Sequence, residues 1–267
     1  MKFLSRFAVC LSFAVLFSSR LWPAGDFVPV KISSSVPWKV GEKFTFSINW
    51  GLVNGGEATI GVEDLVDLKP STGHAQSYSC YHIVAGAVSN SFIDVFYKVR
   101  DKNESWLDAN VWLSHRFEQH NQEGKFILDQ VVRYDWKNLR FHNEEDVRGR
   151  ALKVEDGNLT VPAVDTLSSL YYVRARDFKV GDTFTMEVHS GRTWPLIVKV
   201  LKREKVRVPA GEFDCYLVEP FLRERGLFIQ KGKKLQVWLT ADWRKLPVMM
   251  KAEIFIGHVS AVLTKIE

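Results

Sequence analysis

The side chains most able to bind a metal ion are scattered through this sequence. Of the seven histidines, only His115 and His120 lie at a short spacing. On a β-strand, an offset of five residues places two side chains on opposite faces, so this pair is poorly placed to chelate one ion. The other histidines are spaced more widely: His74, His82, His142, His189 and His258. The sequence therefore predicts no metal site.

Carboxylates offer a second kind of chemistry, because a facing pair can cleave a glycosidic bond. The candidates are Asp94, Asp101, Asp108 and Glu118, although solvation or the capping of turns is the simpler role for them. The sequence contains no Gly-x-Ser-x-Gly motif, and no phosphate-binding glycine-rich loop precedes a helix. We therefore predict no catalytic residue and no cofactor, and we expect that the protein is not an enzyme.

Aromatic residues are numerous, with nine tryptophans and 18 phenylalanines. Their simplest role is to fill the core. The alternative hypothesis is that Phe46, Trp50, Trp106 and Trp238 line a cavity for an acyl chain or another apolar ligand, because large open β-barrels leave such cavities. These four are the candidate ligand-binding residues.

The elements that would position these side chains are β-strands. Apolar residues recur at every second position from Phe44 to Trp50, which is typical of a strand with one buried face. Residues 235–253 have the pattern of a strand, a polar corner and a second strand, and residues 104–118 are a weaker copy. The charged residues 143–150 predict a solvated loop, and the Asp-Gly pair at 156–157 predicts a turn.

One helix is predicted, over residues 165–176. Asp165 is the expected N-cap. Leu167, Leu170, Tyr171 and Arg174 fall on one face at spacings of three and four. We expect this face to cover the sheet between two halves of the chain.

Similar stretches recur in the same order in the two halves of the chain. Residues 40–48 match residues 180–188 in the pattern Val-Gly-acid followed by Phe and Thr. Further matches pair 78–83 with 213–218, 105–108 with 237–240, and 113–124 with 246–257. Repeats of this kind predict an internal duplication. We predict a single duplicated β domain over residues 40–267, with a first half at 40–162 and a second half at 180–267.

The predicted fold is all-β and mainly antiparallel, with two homologous half-sheets that form a curved open barrel or sandwich around one short helix. Cys80 and Cys215 occupy matching positions in the two halves. If the halves are related by a local two-fold axis, matching positions meet only near that axis. Export would permit a disulfide. We nevertheless predict two separate, buried cysteines, because most positions lie too far from the axis.

The first 24 residues have the pattern of a secretory signal peptide. Lys2 and Arg6 precede an apolar run at residues 7–17, which is too short for a comfortable membrane span. Residues 25–39 are a polar, extended lead-in. Removing residues 1–24, which carry three positive charges, lowers the net charge from +5 to +2, too little to favour nucleic acid. We expect export, most readily to the periplasm, with no transmembrane span after signal removal; an uncleaved anchor is the alternative.

Four stretches together resemble the exported bacterial family of domain of unknown function 3108, DUF3108. They are residues 40–44, residues 208–215, residues 238–248, and Asp165 with residues 170–174. The resemblance covers nearly all of the chain after Val36. Its motifs are structural, so it implies an exported β-protein and carries over no catalytic residue. The hairpin with Trp238 and Pro247 is also similar to that of periplasmic lipoprotein carriers, which are open β-barrels with an apolar interior.

Two functions fit these expectations. In the first, a non-enzymatic envelope protein binds or carries a lipid or another apolar ligand. In the second, the protein is an assembly or interaction module without a small ligand, because exposed strand edges can pair with a strand of an envelope partner.

Overall fold

The computed structural model describes residues 35–69, 77–222, 234–253 and 257–267. The predicted signal peptide at 1–24 and residues 25–34 of the predicted lead-in lie outside this part of the chain. The described residues form one antiparallel sheet of 14 strands and two short helices. The strands are β1 (Lys43–Trp50), β2 (Val53–Leu68), β3 (Tyr78–Ser89), β4 (Val99–Asp108), β5 (Ser114–Glu123), β6 (Phe126–Asp135), β7 (Arg140–Val147), β8 (Lys153–Asn158), β9 (Thr183–His189), β10 (Thr193–Val208), β11 (Gly211–Leu222), β12 (Leu235–Thr240), β13 (Pro247–Glu253) and β14 (His258–Ile266). The helices are α1 (Ser91–Asp94) and α2 (Ser168–Ala175).

The order of the strands separates the two halves of the chain. One block of the sheet contains β8 to β1 in consecutive order, and the other contains β14 to β9 in consecutive order. The two blocks meet where β1 pairs with β14. Within the described residues the edge strands β8 and β9 do not pair with each other, so the sheet stays open. The predicted all-β, antiparallel and open architecture is confirmed.

The same hydrogen bonds recur in the two halves. The N–H of Gly41 donates to the carbonyl of Val62 at 2.8 Å, and the N–H of Gly181 donates to the carbonyl of Val200 at 2.9 Å. Both glycines have positive φ angles, +87° and +94°, which residues with a side chain rarely adopt. The sheet register shifts directly after each of the two valines. The Val-Gly stretches that begin the two predicted halves therefore share the same local structure.

The sheet has two distinct ends, because the connections between antiparallel strands alternate between them. One end carries α2 together with the β10–β11 and β12–β13 turns, and we call it the α2 end. The other carries the β1–β2 turn, α1 and the β13–β14 turn, and we call it the α1 end. Neither helix in the described part of the chain is long enough to cross a membrane.

Helix α2 is shorter than the predicted helix over 165–176. The carboxylate of Asp165 accepts the N–H groups of Leu167 and Ser168 at 2.8 and 2.9 Å, which holds residues 165–167 in a turn before the first helical residue. The same carboxylate accepts the hydroxyl of Ser105 at 2.5 Å. The N-cap of α2 is Leu167, not the predicted Asp165, which closes the turn before the helix and ties that turn to β4.

Arg174 connects α2 to two other parts of the chain. Its side chain is fully buried, and the Nη1 and Nη2 groups donate to the carboxylate of Glu42 at 2.5 and 3.1 Å. Nη2 also donates to the carbonyl of Pro37 at 2.9 Å, and Nε donates to the carbonyl of Arg244 at 3.3 Å. One guanidinium thus joins the helix to the residues before β1 and to the β12–β13 turn.

Two sequence-based expectations for the first half are wrong. Residues 143–150, predicted as a solvated loop, lie largely in β7, where Phe141, Asn143 and Val147 are buried between outward-facing polar residues. Gly157, predicted in a turn, lies inside β8. Its neighbour across the strand pair is Phe141, and a Cβ at Gly157 would overlap the Phe141 ring. Glycine is needed there for close packing.

The buried pair of Glu42 and Arg174 should dominate the stability of the α2 end. Replacing Arg174 with alanine leaves the Glu42 carboxylate buried without its cation, and we expect the free energy of unfolding to fall by about 3–5 kcal/mol in urea denaturation. The matched control is Arg203→Ala, which breaks an exposed ion pair with Asp214 and should change stability little. The double variant Arg174→Met/Glu42→Leu removes both charges and should recover most of the loss. A double variant as unstable as Arg174→Ala would contradict this explanation.

The structure confirms that Cys80 and Cys215 are separate. Both are free and buried, in β3 and β11, and five strands lie between them. Neighbouring strands are about 4.8 Å apart, so the two residues are far beyond the roughly 7 Å limit for a disulfide. Burial raises the pKa of both thiols, that of Cys215 to about 12.

We expect thiol titration to reflect this burial. The chain from residue 25 onward, denatured without reductant, should give two reactive thiols, and the folded protein should give none at pH 8. The Cys80→Ser variant should give one thiol after denaturation. A denatured, unreduced chain with no reactive thiol would show that the cysteines are bridged.

Candidate functional site

The four aromatic residues predicted to line a cavity lie in different surroundings. Phe46 and Trp238 are buried in the main core, where the Trp238 indole donates to Glu204 at 2.8 Å. Trp106 lies on the other face of β4 from the core residue Leu107, and its ring stacks on His82 with centroids 4.7 Å apart. Trp50 is 46% exposed at the end of β1. The structure therefore does not bring the four together around one cavity.

Three of the four candidate acids have structural partners. Asp94 forms an ion pair with Arg100 at 2.5 Å. Asp108 accepts from His115 at 2.8 Å, and its other oxygen accepts the backbone N–H groups of the turn that follows β4. Glu118 is paired with Arg116. Asp108 therefore has the turn-capping role that we considered simpler than catalysis, whereas Asp94 and Glu118 form ion pairs.

One group of side chains in the described residues resembles a metal site. Potential ligand atoms of Glu104, Glu118 and His120 lie within 4.8 Å of one another. Each is already engaged: Lys102 lies 3.0 Å from Glu104, Arg116 contacts Glu118, and the Nδ1 atom of His120 lies 2.8 Å from Asp129. The arrangement is a charge network across three strands, with the two glutamates neutralised by protein cations.

Asp101, the fourth candidate acid, belongs to a different environment. It lies on the face of β4 that also carries Ser105, the residue bonded to Asp165 before α2. On this face Asp101 is opposite Asn121 of β5, and Asn103 is opposite Gln119. We call Asp101, Asn103, Asn121 and Glu123 the acid–amide face.

Burial dominates the electrostatics of the acid–amide face. It raises the pKa of Asp101 to about 6, although the Gln122 N–H donates to the Asp101 carboxylate at 3.0 Å and opposes the shift. Burial and then the charge of Asp101 raise the pKa of Glu123 to about 7, and the Tyr97 hydroxyl, 3.3 Å from Glu123, opposes that shift. No ion pair reaches either acid among residues 35–69, 77–222, 234–253 and 257–267.

The two amides of this face carry unused acceptors. The Oδ1 atoms of Asn103 and Asn121 are buried and have no hydrogen-bond partner in the described structure. Buried polar atoms without partners are uncommon in folded proteins and call for an explanation. The acid–amide face thus combines two carboxyl groups with two unpaired carbonyl oxygens.

Large apolar side chains are exposed at the α1 end, close to this face. Six of them are between 46% and 104% exposed: Trp50, Leu52, Val53, Phe92, Val95 and Phe96. They come from two connections that are held together, because Asn90 donates its N–H to Gly55 and its side-chain amide to Asn54. We call these six residues the apolar rim. Contiguous exposed apolar surface commonly marks an interaction site.

A shallow groove of about 420 Å³ lies beside the rim. Its lining is mostly polar: Ser47, Asn54, Gly56, Glu57, Val88, Ser89, Asn90 and Thr264. Such a lining is unsuited to an acyl chain. Of the features at the α1 end, the rim is therefore the one that suits an apolar ligand.

Sequence reasoning missed most of this site. Glu123 and the two asparagines carry no motif, and the alternation of β4 places polar residues on both of its faces. Phe92 lies in the four-residue helix α1, and Val95 and Phe96 follow it directly, in a stretch to which the sequence assigned no element. A signal did exist there: five apolar or aromatic residues in seven, from Phe92 to Lys98, without the period of a strand.

Together the fold and the site define an open, antiparallel β-sheet protein with an apolar rim at one end. The chain belongs to the family of proteins of unknown function DUF3108, whose model matches residues 45–264. The expected family membership is confirmed. Among curated proteins, none matches the sequence.

Solved structures support the fold. A beta-barrel-like protein of the domain of unknown function DUF1849 from Brucella abortus is similar with a TM-score of 0.54 and 10% identity, over 86% of this chain and 98% of that chain. At this identity the similarity concerns the fold alone.

Two further structures overlay too loosely to support a conclusion about this chain. A protein classed as a lipoprotein from Parabacteroides distasonis has a TM-score of 0.31 and 7% identity, over 87% of this chain and 97% of that chain. A protein classed as exported, with a YmcC-like fold, from Bacteroides fragilis has a TM-score of 0.31 and 12% identity, over 87% of this chain and 98% of that chain.

The raised pKa values of Asp101 and Glu123 predict the pH dependence of stability. The unfolded chain releases these protons near pH 4 to 5, whereas the folded protein keeps them until about pH 6 and 7. The two acids therefore favour unfolding increasingly as pH rises through this window. We expect Asp101→Asn/Glu123→Gln to be more stable than the wild type in urea at pH 8, with no advantage at pH 4.

The control for this measurement is Glu144→Gln. Hydrogen bonding to His142, with Arg133 nearby, lowers the pKa of Glu144. The charged Glu144 therefore stabilises the folded protein at pH 8, and the Glu144→Gln variant should be less stable than the wild type at that pH. An Asp101→Asn/Glu123→Gln variant that is less stable than the wild type at pH 8 would show that the pKa values of these two acids are not raised in the folded protein.

Proposed function

We propose that this protein is an exported, non-enzymatic envelope protein that binds lipid through the apolar rim at its α1 end. The observation that carries the proposal is the exposure of Phe92, Val95 and Phe96, at 62%, 76% and 68%. Export is supported by the signal-like pattern of residues 1–24. A non-enzymatic role is supported by the ion pairs and turn contacts that occupy most of the candidate acids.

The rim has the size and chemistry for insertion among acyl chains. Fully burying a side chain as large as Phe or Leu contributes about 1.5–3 kcal/mol, so a few of the six residues suffice for measurable binding. The Phe92 and Phe96 rings contact edge to face, with centroids 5.9 Å apart, and present one joint surface. Aromatic residues are also well suited to the membrane–water interface.

Local charge favours a membrane surface over an arbitrary apolar partner. Asp94, within the rim segment, is neutralised by Arg100 at 2.5 Å. Lys98 follows two residues after Phe96 and suits anionic lipid headgroups. The occupant that fits the rim is therefore a bilayer or its lipids.

In this proposal the lipid contacts the apolar rim, whereas the sequence predicted a contact in the interior. Phe46 and Trp238 are buried among other core side chains, and of the four predicted lining residues only Trp50 belongs to the rim. The proposed contact with lipid is therefore on the outer surface and not in an internal cavity.

The alternative function, an assembly module that pairs through a free strand edge, has less support. Edge strand β8 is short and carries charges, among them the ion pair of Lys153 and Glu155 at 2.8 Å. Edge strand β9 is partly covered by Val164, which donates to Glu187 and accepts from His189. Short, charged or covered edges disfavour pairing with another strand.

Vesicle co-sedimentation tests the proposal. We expect the chain from residue 25 onward to bind vesicles of mixed phosphatidylethanolamine and phosphatidylglycerol, and Phe92→Ser/Phe96→Ser to weaken binding by about 100-fold, because two buried rings contribute at least about 3 kcal/mol. The matched control is Trp243→Ser, which removes a 70% exposed aromatic residue at the α2 end. It should leave vesicle binding unchanged.

Circular dichroism and thermal unfolding must show that both variants fold like the wild type. Equal binding by the wild type and the Phe92→Ser/Phe96→Ser variant would show that the rim is not the lipid-binding surface. A folded wild type that does not bind vesicles at all would overturn the proposed function.

A further inference from the structure

We propose that the acid–amide face binds a primary ammonium group, and that its natural ligand is an amphiphile with an ammonium-bearing head and apolar chains. The second part rests on the proposed lipid-binding function. The first part rests on the side chains of β4 and β5 alone.

The face has more acceptors than its surroundings satisfy. One oxygen of Asp101 accepts the Gln122 N–H, and Oε2 of Glu123 accepts the Tyr97 hydroxyl. The Oδ1 atoms of Asn103 and Asn121 accept nothing within the described residues. A ligand that completes this face must therefore bring donors, and an ammonium group brings three.

The charges around the face leave the two acids without a cation. Among the positively charged neighbours in sequence, Arg100 pairs with Asp94, Lys102 pairs with Glu104, and the charge of Lys98 acts on Asp94. The neighbouring strands present uncharged residues to the face: Ala85 and Ala87 from β3, and Leu128 and Gln130 from β6. Tyr97 precedes β4. Glu145 of β7, opposite Gln130, adds one more acid, but Lys153 of β8 lies opposite Glu145, and Arg192 is close to that lysine. The electrostatic preference is thus for a positive ligand.

An ammonium group fits this face better than a metal ion does. Calcium requires six to eight oxygen ligands at about 2.3–2.6 Å, and this face offers two carboxylates and two amides spread over adjacent strands. Strands in a sheet are about 4.8 Å apart, which hinders convergence on so small a sphere. Hydrogen bonds from an ammonium group extend to about 2.8–3.0 Å and spread in three directions.

The position of the face beside the rim indicates an amphiphile. Phe96 of the rim is directly followed by Tyr97, whose hydroxyl contacts Glu123. The Tyr97 ring packs over Gly124, which has a φ of +60° and where a Cβ would lie only 2.9 Å from the ring. A lipid whose chains contact the rim can therefore place its head near Glu123.

Short-chain lipids test the head-group preference. Dihexanoyl phosphatidylethanolamine has a primary ammonium, whereas dihexanoyl phosphatidylcholine has a quaternary one without N–H donors. We expect the wild type to bind the first at least ten-fold more tightly than the second by calorimetry at pH 8. The preference should disappear towards pH 5, as the carboxyl groups of Asp101 and Glu123, with pKa values of about 6 and 7, become protonated.

Variants locate the site. Asp101→Asn/Glu123→Gln should bind both lipids equally at pH 8, and the control Glu144→Gln, on another strand, should keep the ten-fold preference. Ethanolamine without chains should still lower the pKa values of the two acids, followed by NMR of labelled carboxyl groups, even in the Phe92→Ser/Phe96→Ser variant.

The outcomes separate the two proposals. Vesicle binding without any preference for the primary ammonium, and without a pKa response to ethanolamine, overturns the present inference and leaves the lipid-binding function standing. If ethanolamine lowers the pKa values of the two acids but the protein does not bind vesicles, the ammonium site is supported and the proposed lipid-binding function is overturned. A preference that persists in Asp101→Asn/Glu123→Gln places the site elsewhere and overturns the assignment.

Discussion

The buried contact between Arg174 and Glu42 is the constraint on which the α2 end depends. A guanidinium without exposure to water needs partners for its charge and its donors, and here Glu42 and the carbonyls of Pro37 and Arg244 accept four hydrogen bonds from it. Those partners come from before β1 and from the β12–β13 turn. Fixing one side chain therefore fixes the first strand, the helix and the last third of the sheet relative to one another.

This contact also breaks the symmetry of the repeat. In the second half, Asp182 occupies the position equivalent to Glu42, after the same Val-Gly turn. Its carboxylate accepts the N–H of Lys179 at 2.9 Å and caps its own turn. A single helix serves both halves, so only one of the two acids can receive Arg174.

Much of the fold could be predicted from the sequence, because apolar residues at a period of two and recurring Val-Gly turns depend on local chemistry. The errors arose where long-range packing decides. Gly157 has the local pattern of a turn, yet it lies in a strand because the Phe141 ring needs its space. The four candidate lining residues lie apart for a related reason: a period of two shows that Trp106 and Leu107 face opposite ways, but it cannot tell which of them faces the core. The acid–amide face was hidden because its unpaired acceptors become visible only when β4 and β5 are placed side by side.

The pairing of β1 with β14 has a consequence for how the molecule is made. Lys43 and Glu267 exchange backbone hydrogen bonds at 3.2 and 2.9 Å, although they stand at opposite ends of the β domain. Neighbouring hairpins need only strands that are close in sequence, whereas this seam needs β1 and β14, which are far apart in sequence. Closing so long a loop is slow. We therefore expect the two blocks of the sheet to join after the hairpins within each block have formed.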